Sequence, residues 1–416
     1  MRSLMRITMA VLVAAGLLGI ASCIDVDGAT NKWCRENPGI CDDDASDAGD
    51  AGDAGDAGDA GDAGDAGDAG DAGDAGPSWQ PTAAMAEPRF RHTATRLLDG
   101  RVLVVGGFKD WDVPTASTQL YDPLKDEWSD AGTLPAPRAA HTATLLNNGE
   151  VLIAGGENGS GPVATTLLYN PDAGTWTDAD NLNESRSHHA AVLLSSSGEV
   201  LVIGGGLSET TSLATAERYN PIGGWVPTSG RLSKTRNIPA AVELHGGAVL
   251  AVGGLGTGRF DAETYQRDAG SWSPVASSME VPRFGHTATL LESGEVLVVG
   301  SDEKPGNPPF SNIAELFVPG TRTWRDAGTL TERRGSHTAT TLLTKDVLVA
   351  GGTPDQDSSL RTVLLYRPSV GWRDGPDMLE ARSLHQATLL TSGEVLITGG
   401  VANSGAALLT TEKYVP

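Results

Sequence analysis

The sequence predicts an all-β fold, a seven-bladed β-propeller, over residues 77–416. A unit of about 50 residues recurs seven times in this part of the chain, and a period of that length is typical of propellers. Each unit contains four short strand-like segments, and four antiparallel strands make one blade. Glycine is abundant, with 53 residues, while aromatic residues make up only 5%, which favours many tight turns over long helices.

An Arg-x-x-His motif marks the start of the unit and sets its period. The motif occurs six times, at Arg89/His92, Arg138/His141, Arg186/His189, Arg283/His286, Arg334/His337 and Arg382/His385. A seventh copy runs from Arg236 to Pro239 and lacks the His. A Gly pair follows the His position by about fourteen residues, except that the fifth unit reads Gly300-Ser301.

The apolar pattern within one unit predicts where its inner strands lie. In the second unit, His141–Leu146 is followed by a turn at Asn147–Gly149 and then by Val151–Ala154. The Asn-Gly or Ser-Gly sequences that are usual at this turn tolerate the positive φ of a tight hairpin. The segment after the turn is apolar throughout, as at Val102–Val105, and this pattern predicts a strand buried on both faces.

An aromatic residue and a Trp complete the unit. The aromatic residues are Tyr121, Tyr169, Tyr219, Tyr265, Phe317, Tyr366 and Tyr414, and six of them are followed by Trp128, Trp176, Trp225, Trp272, Trp324 and Trp372. The Gly pair, the Tyr-x-Pro sequence and the Trp about seven residues further on together resemble the kelch repeat. The resemblance covers the chain from about Trp79 onwards and implies a propeller of four-stranded blades.

The spacing of the tryptophans predicts how the propeller closes. The seventh unit stops just after Tyr414 without a Trp, whereas Trp79 lies 49 residues before Trp128, in phase with the repeat. We therefore expect residues near Trp79 to supply the outer strand of the blade that residues 385–416 begin. Such a closure removes the exposed sheet edges at the seam.

Residues 1–22 are predicted to be a lipoprotein signal peptide. Two basic residues precede an apolar stretch, Ile7–Ala21, which is shorter than a typical membrane span. The stretch runs into Ile20-Ala21-Ser22-Cys23, which resembles the lipobox of bacterial lipoproteins. That resemblance implies cleavage before Cys23 and acylation of Cys23, which would anchor the chain in a lipid bilayer. An ordinary secretory signal followed by a chance cysteine is the alternative.

Residues 23–46 form a short segment that contains the other two cysteines. An odd number of cysteines in an exported protein requires an explanation, and lipidation of Cys23 leaves Cys34 and Cys41 as a pair. Export favours a disulfide between them. In the chain-entropy picture, closing so short a loop stabilises the segment by about 2.5 kcal/mol.

Residues 47–76 are predicted to be a disordered acidic linker. They read Asp-Ala-Gly ten times without a break. With one carboxylate per triplet and no side chain larger than Ala, this segment cannot bury apolar area. We expect a solvated spacer with a root-mean-square reach of about 30 Å, which would hold the propeller clear of a membrane.

The charge distribution argues against nucleic acid as a partner. The formal net charge is −23. Residues 1–76 carry 16 acidic and 4 basic residues, a net charge of −12, and residues 77–416 carry 37 and 26, a net charge of −11. Both parts lack the basic footprint that binding to phosphate requires. The same balance argues against electrostatic attachment to anionic lipid headgroups.

The repeated Arg and His residues are predicted to serve packing, because a functional site breaks the symmetry of a repeat. Kelch propellers include copper radical oxidases similar to galactose oxidase, and that resemblance implies a Tyr cross-linked to a Cys, with Tyr and His as copper ligands. No Cys lies beyond residue 41, so the cross-link cannot form. The adjacent His188 and His189 do not suit a metal, since neighbours in a strand face opposite sides. We predict no metal site and no cofactor.

The candidate ligand-binding residues lie in loops that differ between units. The loop between the second and third strands should share a face with the loop that leads into Arg-x-x-His, and loops on rigid scaffolds often carry recognition residues. The candidates are Lys109, Asp110, Trp111 and Asp112 in unit one, Asp302, Glu303, Lys304 and Phe310 in unit five, and Asp355 and Asp357 in unit six. Trp111 either contacts a sugar or a peptide, or it folds over its own loop.

These observations predict a non-catalytic binding or scaffold module that recognises a protein or a glycan through its loop face. The signal and the linker predict that it is anchored in the bacterial cell envelope. Ile24 follows Cys23 in place of the Asp that resembles an inner-membrane retention signal, which favours the outer membrane or the cell surface. The alternative function is a carbohydrate-active enzyme with its site in the central channel.

Overall fold

The computed structural model describes residues 76–208, 210–302, 311–355 and 357–416. The predicted signal peptide, the segment with Cys23, Cys34 and Cys41, and the linker up to residue 75 lie outside these residues. The described part of the chain folds into β-strands and contains no α-helix. Within it, no helix has the length and hydropathy needed to cross a membrane.

Seven four-stranded antiparallel sheets form the seven blades of the predicted propeller. Blade 1 consists, from the inner strand outwards, of β2 (Thr93–Arg96), β3 (Val102–Val105), β6 (Ser117–Asp122) and β7 (Glu127–Thr133). Blade 2 consists of β8 (Thr142–Leu145), β9 (Val151–Ala154), β10 (Thr166–Asn170) and β11 (Thr175–Ala179). Blade 3 consists of β12 (Ala190–Leu193), β13 (Val200–Ile203), β14 (Ala216–Asn220) and β15 (Gly224–Pro227). A small hairpin, β4 (Phe108–Asp110) and β5 (Val113–Pro114), extends from blade 1.

The remaining blades repeat this order. Blade 4 consists of β16 (Ala240–Glu243), β17 (Val249–Val252), β18 (Ala262–Gln266) and β19 (Ser271–Pro274), and blade 5 of β20 (Thr287–Leu290), β21 (Val296–Val299), β22 (Ile313–Val318) and β23 (Thr323–Thr329). Blade 6 consists of β24 (Thr338–Thr341), β25 (Val347–Ala350), β26 (Val363–Arg367) and β27 (Gly371–Asp374). Blade 7 consists of β28 (Gln386–Leu389), β29 (Val395–Thr398), β30 (Thr411–Val415) and β1 (Ser78–Thr82). The inner strands contact their neighbours around the whole ring, with β2 beside β28.

The predicted closure of the ring is confirmed. Strand β1 pairs antiparallel with β30 and places Trp79 opposite Tyr414. The two rings lie 5.4 Å apart, and the indole N–H of Trp79 donates to the carbonyl oxygen of Pro376 in the preceding blade at 2.7 Å. The seventh blade therefore contains strands from both ends of the propeller segment.

The core lies between the blades. The second strand of each blade is buried along its whole length, as its uniformly apolar sequence predicted. Each fully buried Val or Leu side chain contributes about 1.5–3 kcal/mol. The aromatic residue of each third strand packs against the Trp of its own fourth strand, with ring centroids 4.8 to 5.4 Å apart.

The Arg of each Arg-x-x-His motif is buried and closes its own blade. In every unit the guanidinium donates to the carbonyl oxygen of the first residue of the Gly pair, seventeen or eighteen residues further on. In four blades it also forms an ion pair with a buried Glu of the third strand: Glu217, Glu263, Glu315 and Glu412. These contacts agree with the prediction that the motif serves packing.

The His of the motif links neighbouring blades. In the second blade Nε2 of His141 lies 2.9 Å from the hydroxyl of Thr93 in the first, and the same contact recurs at His189, His337 and His385. Blade 4 has Pro239 in place of the His, and blade 3 correspondingly has Ala190 in place of the Thr. Both partners of this link are therefore absent together at that interface.

Candidate ligand-binding site

A ring of main-chain hydrogen bonds surrounds one end of the central channel. The residue before the His position has a positive φ, between 48° and 61°, in all seven blades. We call these residues the ring residues; they are Arg91, Ala140, His188, Ile238, Gly285, Ser336 and Leu384. In six cases the structure joins them head to tail, because the N–H of one donates to the carbonyl oxygen of its equivalent in the preceding blade at 2.8 to 3.1 Å.

The side chains of the ring residues break the sevenfold symmetry. A shared main-chain conformation holds an Arg, a His, a Ser, two larger apolar residues, an Ala and a Gly. Both main-chain polar groups are bonded within the ring at five of these positions, and one group is bonded there at Ile238 and at Gly285, so the fold leaves the side chains open to variation. This end of the channel therefore combines a regular scaffold with an irregular chemical surface.

Two adjoining cavities meet at the ring residues. The channel cavity, about 360 Å³, lies among the inner strands and is lined by Thr93, Thr142 and the His residues of the first three blades. The loop cavity, about 590 Å³, lies among the loops and is lined by Trp111, Asp355, Asp357, Ser358 and Asn403. Arg91, Ile238, Asp302, Ser336 and Leu384 line both cavities. Such volumes fall within the range of small-ligand sites, roughly 300–1,000 Å³.

Arg91 and His188 form a polar pair in the wall of the channel cavity. The guanidinium of Arg91 donates to Nε2 of His188. Burial, together with the positive charge of Arg91, holds the pKa of His188 well below its usual range, so the imidazole is neutral and can accept this bond. Burial also lowers the pKa of Arg91, while the negative charges of Asp302 and Glu157 counteract this shift.

Asp302 places a carboxylate in the wall shared by both cavities. Its Oδ2 accepts a hydrogen bond from the hydroxyl of Ser336 at 2.7 Å, and its main-chain N–H donates to the carbonyl oxygen of Phe284. Burial raises the pKa of Asp302 to about 7, although the hydrogen bond from Ser336 and the charge of Arg91 both lower it. The carboxyl group therefore changes its charge near neutral pH.

Trp111 occupies the tip of the β4–β5 hairpin. The sequence left open whether it contacts a ligand or folds over its own loop, and its position is compatible with both. Its ring lies 4.7 Å from that of Phe90, so it does fold onto its own blade. It is nevertheless 46% exposed and lines the loop cavity. Lys109, Asp110 and Asp112 are exposed on the same hairpin, and Oδ1 of Asp110 accepts the main-chain N–H of Trp111.

The other loop candidates divide into two groups. Asp355 and Asp357 are exposed and line the loop cavity with Trp111 and Asp302. Hydrogen bonds from the Ser358 hydroxyl and from main-chain N–H groups lower the pKa of Asp355, which is therefore ionised at neutral pH. The remaining candidates, Glu303, Lys304 and Phe310, lie outside the described residues. The structure thus brings four candidates from three blades to one cavity.

The sequence analysis missed Arg91, His188 and Ser336. The signal was present, because the third position of each Arg-x-x-His motif carries a different residue in every unit. His188 and His189 do diverge, as expected, but not because they alternate along a strand. Both precede β12; His188 has a positive φ and contacts Arg91, whereas His189 contacts Thr142.

The seven four-stranded blades and their repeated residues make this chain a β-propeller with kelch repeats. The family model of the Kelch motif matches residues 89–135, the first complete unit. The chain is also 29% identical over 112 residues to an F-box/kelch-repeat protein of Arabidopsis thaliana. That match covers 26% of this chain and 27% of the relative's own length.

A solved structure shares the fold over most of the propeller. It is described as a novel fungal alcohol oxidase with catalytic diversity among the AA5 family, in complex with copper. It matches with a TM-score of 0.69 and 17% identity, and the match covers 82% of this chain and 76% of the oxidase. At this level of identity the likeness concerns the fold alone.

The described residues do not fit a copper centre of the radical-oxidase kind. All three cysteines precede residue 42. All six tyrosines of the chain occupy the repeat position and pack against the Trp of their own blade. In the described ranges, no three His, Cys, Asp or Glu side chains cluster in a way that could hold a metal ion. The donor set that such a centre needs is therefore missing from the channel mouth.

Proposed function

We propose that this protein is a non-catalytic binding module that recognises a protein partner at the loop cavity and the ring residues beneath it. Kelch propellers commonly bind proteins, and this chain has the propeller fold and the Kelch motif. The observation that carries the proposal is the convergence of Trp111, Asp302 and Asp355 on one cavity, from blades 1, 5 and 6. Asymmetric side chains on a symmetric scaffold are what specific recognition requires.

Trp111 is proposed as the anchor of this surface. Aromatic residues with a large contact area and a polar atom dominate the energetics of many interfaces. Trp111 is partly exposed and its packing against Phe90 limits its motion, so little conformational entropy is lost when a partner covers it.

The Trp111→Ala variant is expected to lose at least about 2 kcal/mol of binding energy, a reduction of about thirtyfold or more in affinity. The measurement is capture of partners from envelope extracts by the full-length protein, followed by titration of the captured partner. Ile222→Ala is the matched control, because Ile222 is 99% exposed in a turn at the opposite end of its blade. Equal loss in both variants would show that the loop cavity is not the binding surface.

We propose further that the propeller is displayed on the bacterial envelope by a lipid on Cys23. The support is sequence-based: the apolar signal segment, the small residues before Cys23 and the acidic linker of residues 47–76. A module held away from the membrane by a solvated spacer can reach partners in several orientations.

In a bacterial host, the wild-type chain is expected to incorporate labelled fatty acid and to sediment with membranes. The Cys23→Ser variant should carry no label and appear in the soluble fraction, because acylation supplies the anchoring energy. Cys34→Ser is the control and should keep both the label and the membrane location. A labelled Cys23→Ser protein would contradict the assignment of the lipid site.

An enzyme acting on carbohydrate is the second candidate function. The observation that favours it is the position of Asp302 in the wall of both cavities, where a pKa of about 7 suits a general acid or base near neutral pH. Turnover of a sugar that is lost in an Asp302→Asn variant would establish this function in place of the first.

A further inference from the structure

Arg91 reaches across the mouth of the channel and keeps one edge of its guanidinium free. It belongs to blade 1, yet its Nη1 donates to Nε2 of His188 in blade 3, two blades away. Nε and Nη2 of Arg91 are hydrogen-bonded to no described residue and are not buried, unlike Nε of Arg89 in the same motif. This free edge is the planar fork with which an Arg side chain binds a carboxylate through two parallel hydrogen bonds.

Gln386 supplies a second free donor in the same cavity. Four blades carry a Thr at the equivalent position, and each hydroxyl is bonded to the motif His of the next blade; these residues are Thr93, Thr142, Thr287 and Thr338. In blade 7 the position holds Gln386, and His92 of blade 1 is bonded to Thr398 instead. The amide of Gln386 is therefore left without a hydrogen-bond partner among the described residues, and it lines the channel cavity together with Arg91.

The charge of the channel cavity favours an anion, whereas that of the loop cavity does not. The ionisable groups that line the channel cavity are Arg91, Asp302 and four histidines. Burial lowers the pKa of each of these histidines, which are therefore neutral at pH 7; they are His92, His141, His188 and His189. Among the described residues of this lining, Arg91 is thus the one cation, while Asp355 and Asp357 line the loop cavity alone.

Asp302 competes with an anion for Arg91 only while it is ionised. Its carboxyl group is held by the hydroxyl of Ser336 and lies so close to Gly285 and Gly335 that a Cβ atom on either glycine would overlap it. Its charge nevertheless attracts Arg91. Because the pKa of Asp302 is raised to about 7, a change from pH 8 to pH 6.5 neutralises most of this carboxylate and leaves Arg91 as the dominant charge of the cavity.

We propose that the channel cavity binds a small carboxylate, which the Nε–Nη2 edge of Arg91 holds through two parallel hydrogen bonds and to which the amide N–H of Gln386 donates a third. This site is separate from the proposed protein-binding surface and goes beyond it. The volume of about 360 Å³ suits a small organic molecule. Charge-assisted hydrogen bonds of this kind are about twice as strong as those between neutral groups.

The test uses the full-length protein with benzoate and its neutral counterpart benzamide. NMR titration at pH 6.5 is expected to show that benzoate binds at least about tenfold more tightly, because benzamide cannot form the charge-assisted pair. Arg91→Met should bind the two compounds equally, and Gln386→Leu should weaken the binding of benzoate about threefold. Equal affinity of the two compounds for the wild type, or no binding of benzoate at tens of millimolar, would overturn the proposal.

The pH dependence separates a binding role of Arg91 from a structural one. Benzoate, which is ionised at both pH values, is expected to bind about fivefold or more tightly at pH 6.5 than at pH 8, because Asp302 takes up a proton and no longer competes for Arg91. Arg91→Met should abolish this dependence, a result that loss of the contact with His188 alone would not produce. A wild-type affinity that is the same at both pH values would place the anion elsewhere and overturn the site.

Two further variants keep the test independent of folding defects. Arg91→Lys retains the charge without the planar fork and should weaken the binding of benzoate about fivefold, with its pH dependence preserved. Arg333→Met is the matched control, because Arg333 is exposed and lines neither cavity; it should leave both the affinity and the pH dependence unchanged. An equal loss of benzoate affinity in Arg333→Met would contradict the assignment to Arg91.

The protein-binding surface and the carboxylate site are tested separately. A partner that Trp111→Ala loses, together with equal binding of benzoate and benzamide, would support the binding function and overturn the carboxylate site. Discrimination between the two compounds without any captured protein partner would do the reverse. A captured partner that benzoate displaces and that Arg91→Met cannot bind would assign the carboxylate to a side chain of that partner, and would overturn the small-ligand site.

Discussion

Acidification from pH 7 to pH 5 is expected to unfold the propeller. Seven of its eight histidines have a pKa held below the usual range: His92, His141, His188, His189, His286, His337 and His385. For three of them, His189, His286 and His385, the pKa is lowered to about 3. In every case burial is the main cause, and neighbouring Arg residues add to it.

The sign follows from proton linkage. A His whose pKa is lower in the folded state takes up its proton on unfolding, so its stabilising contribution is complete above pH 6.5 and is lost as the pH falls towards the folded pKa. At pH 5 the loss is about 2 kcal/mol for each of the three histidines whose folded pKa is about 3. These three losses amount to about 6 kcal/mol, and the other four histidines act in the same direction, so the total is comparable with the whole stability of a typical domain.

Asp302 acts in the opposite direction but is a single group. Its folded pKa is raised to about 7, so its contribution to stability falls as the pH rises from about 4 to 7. The histidines outweigh it, and the net slope below pH 6.5 is positive.

Urea unfolding followed by tryptophan fluorescence at pH 7.5, 6.5, 6.0 and 5.5 measures this slope. We expect a net uptake of about five protons on unfolding near pH 5.5, since the histidines take up about six and Asp302 releases about one, while most other carboxylates are still ionised in the unfolded chain. His286→Gln should reduce the number by about one. An uptake of one or two protons in the wild type would contradict the proposed origin of the pH dependence.

Removal of the closing strand is expected to destabilise the propeller more than any single substitution discussed above. Deletion of residues 77–84 removes β1, the whole ladder to β30 and the buried side chain of Trp79, which is 8% exposed. It also leaves β30 as an unpaired edge and exposes Tyr414. Thermal unfolding should begin well below that of the wild type, and the exposed edge should promote aggregation.

Trp79→Ala isolates the largest part of this effect. The expected cost is about 3–5 kcal/mol, because a large buried ring and the hydrogen bond to Pro376 are both lost. Trp128→Ala is the matched comparison, since Trp128 occupies the same position in blade 1 and donates to the carbonyl oxygen of Ala83. An unchanged melting temperature in the deletion variant would mean that β1 does not close the ring.

Much of the fold could be predicted because the same sequence pattern occurs in seven units. The Gly pairs, the Tyr and Trp positions and the uniformly apolar second strands identify the blades, and the phase of Trp79 identifies the closure. The ion pairs of Arg186, Arg236, Arg283 and Arg382 could also be predicted, because their four units carry a Glu at the same position of the third strand.

The site could be predicted only in part. Loop residues such as Trp111 and Asp355 depart visibly from the repeat, and the structure brings them to one cavity. Arg91 and His188 lie inside a repeated motif. The direction of their side chains depends on a positive φ, and the residue types at this position do not reveal that φ from the sequence. The space around Asp302 depends on Gly285 and Gly335, which are distant from each other in sequence and adjacent only in the folded chain.

The ring of main-chain hydrogen bonds has a consequence for how this protein can evolve. Main-chain hydrogen bonds form six of the seven links between neighbouring ring positions, so a substitution at one position alters the surface of the channel mouth while these links between blades persist. The left-handed conformation costs each non-glycine residue about 1–2 kcal/mol, and the fold already bears that cost with six different side chains. New specificities can therefore arise by single mutations in a molecule whose assembly is untouched, and a combinatorial library at these seven positions would sample them directly.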